Sequence, residues 1–437
     1  MNGTEFIAKI LKAEGIDSVT CFPSNPLIEA VAKEGIRPIS FRHERGAVMA
    51  ADGFSRISQR KKFGVAIVQS QAGAENAMGG IAQAYADNIP ILLMPGGISL
   101  SQLGVKPNFS VLQNYQGWVK QVETVLSPNE VGNVMRRSFN ALRNGPPGPV
   151  VVEMTSDVCS LEIPKGLENY CSPRSAQVMP SQNDIKDAVK YLMKAKKPLI
   201  WAGGGVLMSG ASKELKKLVE FTGIPVFTTM QGKSAFDERH PLSLGAGCGT
   251  TTLAAHNWLK NSDVVLVLGS SLTRTPYGQV LSSEKTLLHN TIDPEDLNKD
   301  VSAMVGLVGD TKLTLLALME EFKTEGFKKD NGEVTQIKKE INVLKKKWMQ
   351  DWNPILNSGE IPLNYYRIIN EIYKSIDPEN SIVTHDAGAP RDCMVPFYNA
   401  TLPNSYIGWG KTTHLGFGIP LMIGAKMAHP DKFCLNL

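Results

Sequence analysis

The stretch FRHERGAVMAADGF at residues 41–54 decides the fold. It joins a short predicted strand, Arg37 to Phe41, to a predicted helix rich in alanine and glycine. The junction places one carboxylate, Glu44, at the start of a mostly apolar helix. A carboxylate buried there costs free energy unless it has a chemical role or a partner. The alternative is an ordinary helix-start carboxylate, which the helix dipole favours.

A second junction of the same kind follows about thirty residues later. VQSQAGAEN at residues 68–76 again combines the end of a strand, a turn of small residues and the start of a helix. If both strands belong to one parallel sheet, the two turns meet at the carboxyl ends of the strands. Ligands of α/β proteins bind at such edges.

Composition indicates an ordinary globular protein. The chain has 437 residues, of which 42% are hydrophobic and 20% charged, with a formal net charge of +4. This small charge gives no indication of a nucleic-acid partner. The six cysteines are scattered without a Cys-x-x-Cys pair, which favours a reducing compartment and no metal site of this type. No signal peptide or membrane span is recognised, so we expect a cytoplasmic protein with no membrane partner.

Strand-like and helix-like runs alternate along the whole chain. The strand-like runs are short, β-branched and apolar on both faces, as in Val264 to Leu268. This is typical of a covered parallel sheet, so we predict an α/β fold of doubly wound parallel-sheet domains. Polar segments at Thr155 to Asn183 and Trp352 to Pro362, with their Pro and Gly clusters, are interpreted as linkers. The predicted domains are therefore 1–155, 184–345 and 362–437.

Four motifs in order resemble the thiamine-diphosphate enzymes of the acetolactate synthase type. They are FPSN at 22–25, RHERGA at 42–47, SQAGAEN at 70–76 and DNIP at 87–90. The resemblance implies a pyrimidine-binding, a central and a diphosphate-binding domain, in that order. It also implies thiamine diphosphate as cofactor, which stabilises carbanions through its ylid.

The resemblance assigns roles to individual residues. Glu44 matches the acid that hydrogen-bonds the N1′ atom of the cofactor, since a desolvated carboxyl can hold and donate a proton near neutral pH. Asn25 and Gln113 are expected near the substrate, although Asn25 also suits a turn. The residues expected to contact the cofactor are Pro23, Gly73, Asn76, Gly388, Ala389, Pro390, Thr413 and Leu415.

The third domain is expected to be incomplete. A final strand, Phe433 to Leu437, ends the chain where the family continues into Gly-Asp-Gly and a later Asn, which hold the divalent ion. We therefore expect the Mg²⁺ ligands beyond Leu437 and none within the chain. The alternative is a short, non-catalytic paralogue. The central domain has a glycine-rich turn at Gly203 to Gly205. Whether this domain binds FAD or an adenine nucleotide stays open.

The reaction is predicted less closely than the cofactor. A carbon–carbon lyase or carboligase acting on a 2-keto acid, as in acetolactate synthase, is the first reading. Acetolactate synthases have Gly-Gln where this chain has Gly96-Gly97, and Phe-Gln-Glu where it has Phe109-Ser110-Val111. Gly97 is more similar to 2-hydroxyacyl-CoA lyases and oxalyl-CoA decarboxylases, so an acyl-CoA substrate stays open. The resemblance implies a homodimer or homotetramer, because the two halves of the site come from different subunits.

Overall fold

A computed structural model describes all 437 residues, which form two compact units. The first unit contains Met1–Ala176 and Thr412–Asp431, and the second contains Gln177–Lys411 and Lys432–Leu437. No helix combines the length and the apolar character that crossing a membrane requires. The predicted α/β class is confirmed, whereas the exact three-domain boundaries stay a prediction.

A six-stranded, fully parallel sheet forms the centre of the first unit, with strand order β2-β1-β3-β4-β6-β5. Strands β3, β4 and β6 are buried along their whole length, which explains their continuous apolar sequences. The strands are β1 (Ser18–Cys21), β2 (Arg37–Ser40), β3 (Gly64–Val68), β4 (Ile91–Pro95), β5 (Gln121–Val125) and β6 (Val150–Met154). The helices are α1 (Gly3–Ala13), α2 (Pro26–Lys33), α3 (Glu44–Ser58), α4 (Ala72–Ala86), α5 (Val111–Tyr115) and α6 (Val131–Arg143).

The register of this sheet brings the two motif turns to one edge. Ser40 pairs with Cys21, Cys21 with Ile67, and Ile67 with Met94. The carboxyl ends of β2, β1, β3 and β4 therefore lie side by side, as expected for a parallel sheet. The segments leading into α3 and α4 both start from this edge.

The second unit contains another six-stranded parallel sheet, ordered β12-β11-β10-β7-β8-β9, and a small parallel pair, β13-β14. The strands are β7 (Leu199–Ala202), β8 (Val226–Thr229), β9 (Ser243–Gly247), β10 (Val264–Leu268), β11 (Thr286–Thr291), β12 (Val305–Val308), β13 (Ser381–Thr384) and β14 (Phe433–Asn436). The helices are α7 (Gln182–Lys194), α8 (Gly204–Met208), α9 (Ser212–Thr222), α10 (Leu253–Asn261), α11 (Thr311–Thr324), α12 (Asn331–Leu356), α13 (Tyr365–Ser375) and α14 (Ala389–Met394).

Helix α12 corrects one linker prediction. The helix continues through Trp352 and Pro354 to Leu356, so the second predicted linker begins five residues too early. The Trp352 ring packs against Tyr366 and Phe397, with centroid distances of 4.7 Å and 4.8 Å. These aromatic contacts stabilise the last turns of the helix despite the nearby proline.

The final helix, α15 (Gly418–Ala428), belongs to the first unit and packs closely on α3. A Cβ atom on Gly53 would overlap the carbonyl oxygen of Leu421, and one on Gly424 would overlap that of Ala50. The two helices therefore touch backbone to backbone, and only glycine permits this approach. Glu44 is the first residue of α3. The position of α15 is therefore fixed relative to the helix that carries the predicted acid.

Candidate functional site

Glu44 is buried at the N-terminus of α3, with an exposed fraction of 2%. His43 caps this helix, because its Nδ1 accepts a hydrogen bond from the Arg45 N–H at 3.1 Å. The exposed His43 ring thus has a structural role at the helix start. The cap fixes where α3 begins and therefore where the Glu44 carboxyl group lies.

Two residues of the second motif meet this carboxyl group. The Asn76 amide donates a hydrogen bond to Glu44 Oε2 at 3.1 Å. A Cβ atom on Gly73 would lie 3.4 Å from Glu44 Oε1 and 2.5 Å from the Cγ of Gln69. Glycine at 73 therefore permits the main chain to pack closely against the Gln69 side chain beside the Glu44 carboxyl group. Glu44 Oε1 accepts no hydrogen bond within the chain, so it is available to a ligand that offers a nitrogen for hydrogen bonding.

Asn25 and Pro23 lie at the neighbouring loop. The Asn25 side chain caps α2 by accepting a hydrogen bond from the Leu27 N–H at 3.0 Å, and donates to Val68 O at 2.8 Å and Met94 O at 3.3 Å. Pro23 is exposed and borders an open cavity of about 690 Å³. The amide of Asn25 is thus occupied by the sheet edge, and its predicted contact with substrate stays a prediction.

The predicted segment Thr413 to Leu415 is part of the same unit. Thr413 is half-buried, whereas Leu415 is 72% exposed. Between them, the His414 ring packs beside Gly79, where a Cβ atom would lie 3.3 Å from Cε1. Gly79 is one helical turn after Asn76 on α4, so this segment and the Glu44 site share that helix. Burial lowers the pKa of His414, and the Arg45 charge adds to the lowering.

A buried polar network fixes the start of this segment, and the four sequence motifs do not predict it. Arg56 pairs with Asp52 and, at 2.8 Å, with Asp87. The Gln83 amide donates to Asp87 Oδ2 at 3.1 Å, and the Thr412 hydroxyl donates to Gln83 Oε1 at 2.8 Å. An Asp and an Arg four residues apart in an apolar helix are the available sequence signal, because buried charges require partners.

The predicted diphosphate loop lies in the second unit. Gly388 has a φ of 78° and a ψ of −138°, which favours glycine, and Ala389 and Pro390 begin α14. Arg391 follows with its guanidinium near the Tyr277 and Trp409 rings, 4.7 Å and 5.0 Å from their centroids, and paired with Asp392. The contacts of Arg391 therefore hold the helix that follows the loop. The predicted role of the loop in binding a diphosphate stays a prediction.

His385, just before this loop, is fully buried and uncharged. Its Nδ1 donates to the Asp386 carbonyl at 2.9 Å, because a carbonyl can only accept, and its Nε2 has no hydrogen-bond partner. Burial lowers the pKa of His385 to about 4, and the Arg391 charge opposes protonation further. The imidazole therefore stays neutral where an exposed histidine would be protonated.

This burial predicts a loss of stability in mild acid. Between pH 6.5, where an ordinary histidine titrates, and pH 4, the unfolded chain binds a proton that the folded chain does not, so stability falls as the pH falls. We expect the free energy of unfolding, measured in urea, to fall by about 2 kcal/mol more in the wild type than in a His385→Asn variant between pH 7 and 4.5. Parallel pH profiles for the two proteins would contradict the assignment.

Comparisons with known proteins agree with this geometry. The family model for the thiamine pyrophosphate enzyme N-terminal TPP-binding domain matches residues 1–124, and the model for the central domain matches residues 185–318. The chain is 32% identical to a probable acetolactate synthase large subunit of Methanococcus aeolicus, covering 99% of this chain and 75% of the relative. It belongs to the thiamine pyrophosphate enzyme family. The resemblance read from the four motifs is thereby confirmed.

Other relatives give the same placement within the thiamine pyrophosphate enzymes. A probable acetolactate synthase large subunit of Methanocaldococcus jannaschii is 32% identical, over 98% of this chain and 74% of the relative. The large subunit of acetolactate synthase isozyme 3 of Escherichia coli is 27% identical, over 99% of this chain and 76% of the relative. This thiamine pyrophosphate enzyme is therefore acetolactate synthase-like, and the matched N-terminal domain contains Glu44, Gly73 and Asn76.

Proposed function

We propose that this enzyme cleaves or forms a carbon–carbon bond next to the carbonyl group of a 2-keto acid. The observation that carries this proposal is the buried Glu44 carboxyl group, whose Oε2 accepts a hydrogen bond from Asn76 and whose Oε1 accepts none within the chain. Thiamine diphosphate, when bound, supplies the carbanion chemistry that such a reaction needs. The chain's own residues then have to bind that group, orient it and exchange a proton with it.

Each of these tasks has a residue in the first unit. Glu44 would hydrogen-bond the pyrimidine ring and share a proton with it, because a side chain held within hydrogen-bond distance of a ring nitrogen can give or take a proton. Asn76 holds Glu44 Oε2, which leaves Oε1 to meet the ring. Thr413 and Leu415, anchored through Thr412 and α15, would support the ring from the neighbouring segment.

The remaining predicted contacts belong to the same proposal. Gly388, Ala389 and Pro390 would approach the diphosphate, and Mg²⁺ would accompany that group. Copies of the chain would assemble as a homodimer or homotetramer in the cytoplasm. The relatives are named as large subunits, which supports an enzyme that works as part of an assembly.

A second candidate reaction is supported by Gly97. A Cβ atom at this position would lie 2.7 Å from Met154 O and 3.0 Å from the Cα of Thr155, so no larger residue fits without movement of β6. The glutamine that acetolactate synthases have here would require the neighbouring main chain at Met154 and Thr155 to shift. This difference favours a 2-hydroxyacyl-CoA or oxalyl-CoA substrate as the alternative.

A substrate screen tests the proposal directly. Full-length protein with thiamine diphosphate and Mg²⁺ is incubated separately with pyruvate, other 2-keto acids, 2-hydroxyacyl-CoA thioesters and oxalyl-CoA. Products are identified by NMR. Release of carbon dioxide with carboligation from a 2-keto acid supports the proposal, and cleavage of thioesters alone supports the alternative. No turnover of any of them, with cofactor binding shown by calorimetry, contradicts both.

A further inference from the structure

Gln71 has a backbone conformation that side-chain-bearing residues rarely adopt. Its φ is 54° and its ψ is −111°. It occupies the second position of a four-residue turn, closed by a hydrogen bond from the Gly73 N–H to Ser70 O at 3.3 Å. These angles match the first central residue of a type II′ turn, where glycine is the usual residue. A glutamine there is strained, and such strain is concentrated at functional sites.

The side chain of Gln71 bridges this turn to the loop after β4. Its Oε1 accepts a hydrogen bond from the Phe109 N–H at 2.9 Å. A backbone N–H can only donate, so the bonded atom must be the amide oxygen and the other end must be the NH₂ group. The Phe109 contact thus orients the two amide ends and leaves the Nε2 hydrogens, which no protein hydrogen bond uses, available to an acceptor.

The turn that carries Gln71 is the turn that shapes the Glu44 site. Gly73, two residues later, lies beside Glu44 Oε1, and Asn76 bonds Glu44 Oε2. Gln71 is half-buried at this edge, whereas Gln113 is exposed on α5. Of the two glutamines, only Gln71 is tied by its side chain to the turn and loop next to the predicted acid.

We propose that Gln71 is a substrate-binding residue whose amide NH₂ donates to a carboxylate or carbonyl oxygen of the substrate. The inference rests on the proposed function and deepens it by naming the group that recognises the acid end of a 2-keto acid. The strained turn and the Phe109 bond orient the donor before substrate arrives, which lowers the ordering cost of binding. A glycine would satisfy the backbone better but could not make this contact.

The test compares glycine substitutions at two strained glutamines. Gln71→Gly relieves the backbone strain and removes the donor, and we expect an unchanged or higher Tm. We also expect an about 10- to 100-fold lower kcat/KM for pyruvate, the effect of losing one hydrogen bond to a charged group. Gln59, with a φ of 51° at the other end of α3, is the matched control. Gln59→Gly should raise stability in the same way and leave turnover unchanged.

Calorimetry and a second variant separate substrate binding from a structural role, and hydrogen exchange checks that the Phe109 contact is lost. Calorimetry should show that the affinity of Gln71→Gly for thiamine diphosphate stays within about twofold of the wild-type affinity, as expected if the cofactor site is unchanged. Hydrogen exchange by mass spectrometry should show faster exchange at Phe109, because its N–H has lost its acceptor. Gln71→Glu should lower kcat/KM at least as far, since a carboxylate would repel the acid end of the substrate.

The outcomes distinguish the inference from the proposed function. Turnover by the wild type with Gln71→Gly within about twofold of it overturns the inference alone. A parallel loss of cofactor affinity in that variant also overturns it, because the role would then be structural. If the wild type binds thiamine diphosphate but turns over no 2-keto acid, the proposed function and this inference are both wrong.

Discussion

Replacing Glu44 with glutamine is expected to slow hydrogen exchange at C2 of bound thiamine diphosphate by about 10²- to 10⁴-fold, the range for a positioned acid or base. Glutamine keeps the shape of the side chain and can still accept the Asn76 hydrogen bond to Oε2. It cannot share a proton with the pyrimidine ring. Deuterium incorporation, quenched in acid and read by proton NMR, measures this step without any substrate.

Glu75→Gln is the matched control for this experiment. Glu75 is exposed in the first turn of α4, directly before Asn76, so its replacement changes the same charge close to the site. We expect C2 exchange in this variant to equal that of the wild type and the Tm of both variants to stay within a few degrees of it. Unchanged exchange in Glu44→Gln would refute the assigned role of Glu44.

Replacing Lys233 with methionine is expected to lower the free energy of unfolding by about 3–5 kcal/mol, the usual cost of leaving one charge of a buried pair alone. Lys233 is 1% exposed, and its Nζ lies 2.8 Å and 2.6 Å from the two Glu238 oxygens and 3.1 Å from Val395 O. Burial lowers the pKa of Lys233 and the Glu238 charge opposes this, so the pair depends on both members.

The partner residue supplies the decisive comparison. Glu238 Oε2 also accepts from the Ala400 N–H at 2.7 Å, so Glu238→Gln preserves an acceptor while removing the charge. The double variant Lys233→Met/Glu238→Gln should therefore recover a large part of the loss in urea unfolding. Lys323→Met, at the exposed pair with Glu320, should change stability by about 0.5 kcal/mol or less. If Lys233→Met lowers the free energy of unfolding by less than about 1 kcal/mol, the buried pair is dispensable for stability.

The strands could be predicted because their sequences are governed by burial on both faces. Gly64–Val68, Val150–Met154 and Val264–Leu268 have the bounds that their apolar runs indicate. The Glu44 junction could also be read, since a strand, a carboxylate and an alanine-rich helix follow one another locally. Such features depend on neighbours in the sequence, where hydrophobic periodicity is informative.

Features that depend on distant contacts could not be read in the same way. The bond from Gln71 to Phe109 joins residues 38 positions apart, and that from Thr412 to Gln83 joins residues 329 apart. The sequence predicts a linker from Trp352 because Pro354 signals a break, whereas packing of Trp352 on Phe397 maintains the helix to Leu356. Tertiary packing overrides local propensity at such points.

Asn25 shows the same limit at the level of a single side chain. Its position in a turn before a proline is visible in the sequence, but the two carbonyl groups that its amide bonds come from β3 and β4. A side-chain amide can serve as a helix cap, a tie between strands or a ligand contact, and the local sequence does not distinguish among these.

The contact between Gly53, Gly424 and the opposing carbonyl groups makes the placement of α15 a property of the main chain. Substitutions elsewhere in the core change side-chain volumes. They do not change the contact between α3 and α15 at these glycines, because no side chain lies between the two main chains there. Divergence of the surrounding sequence is therefore compatible with one fixed spacing between the two helices, as long as both glycines persist. The distance between the proposed acid, on α3, and the segment before α15 therefore depends on this spacing.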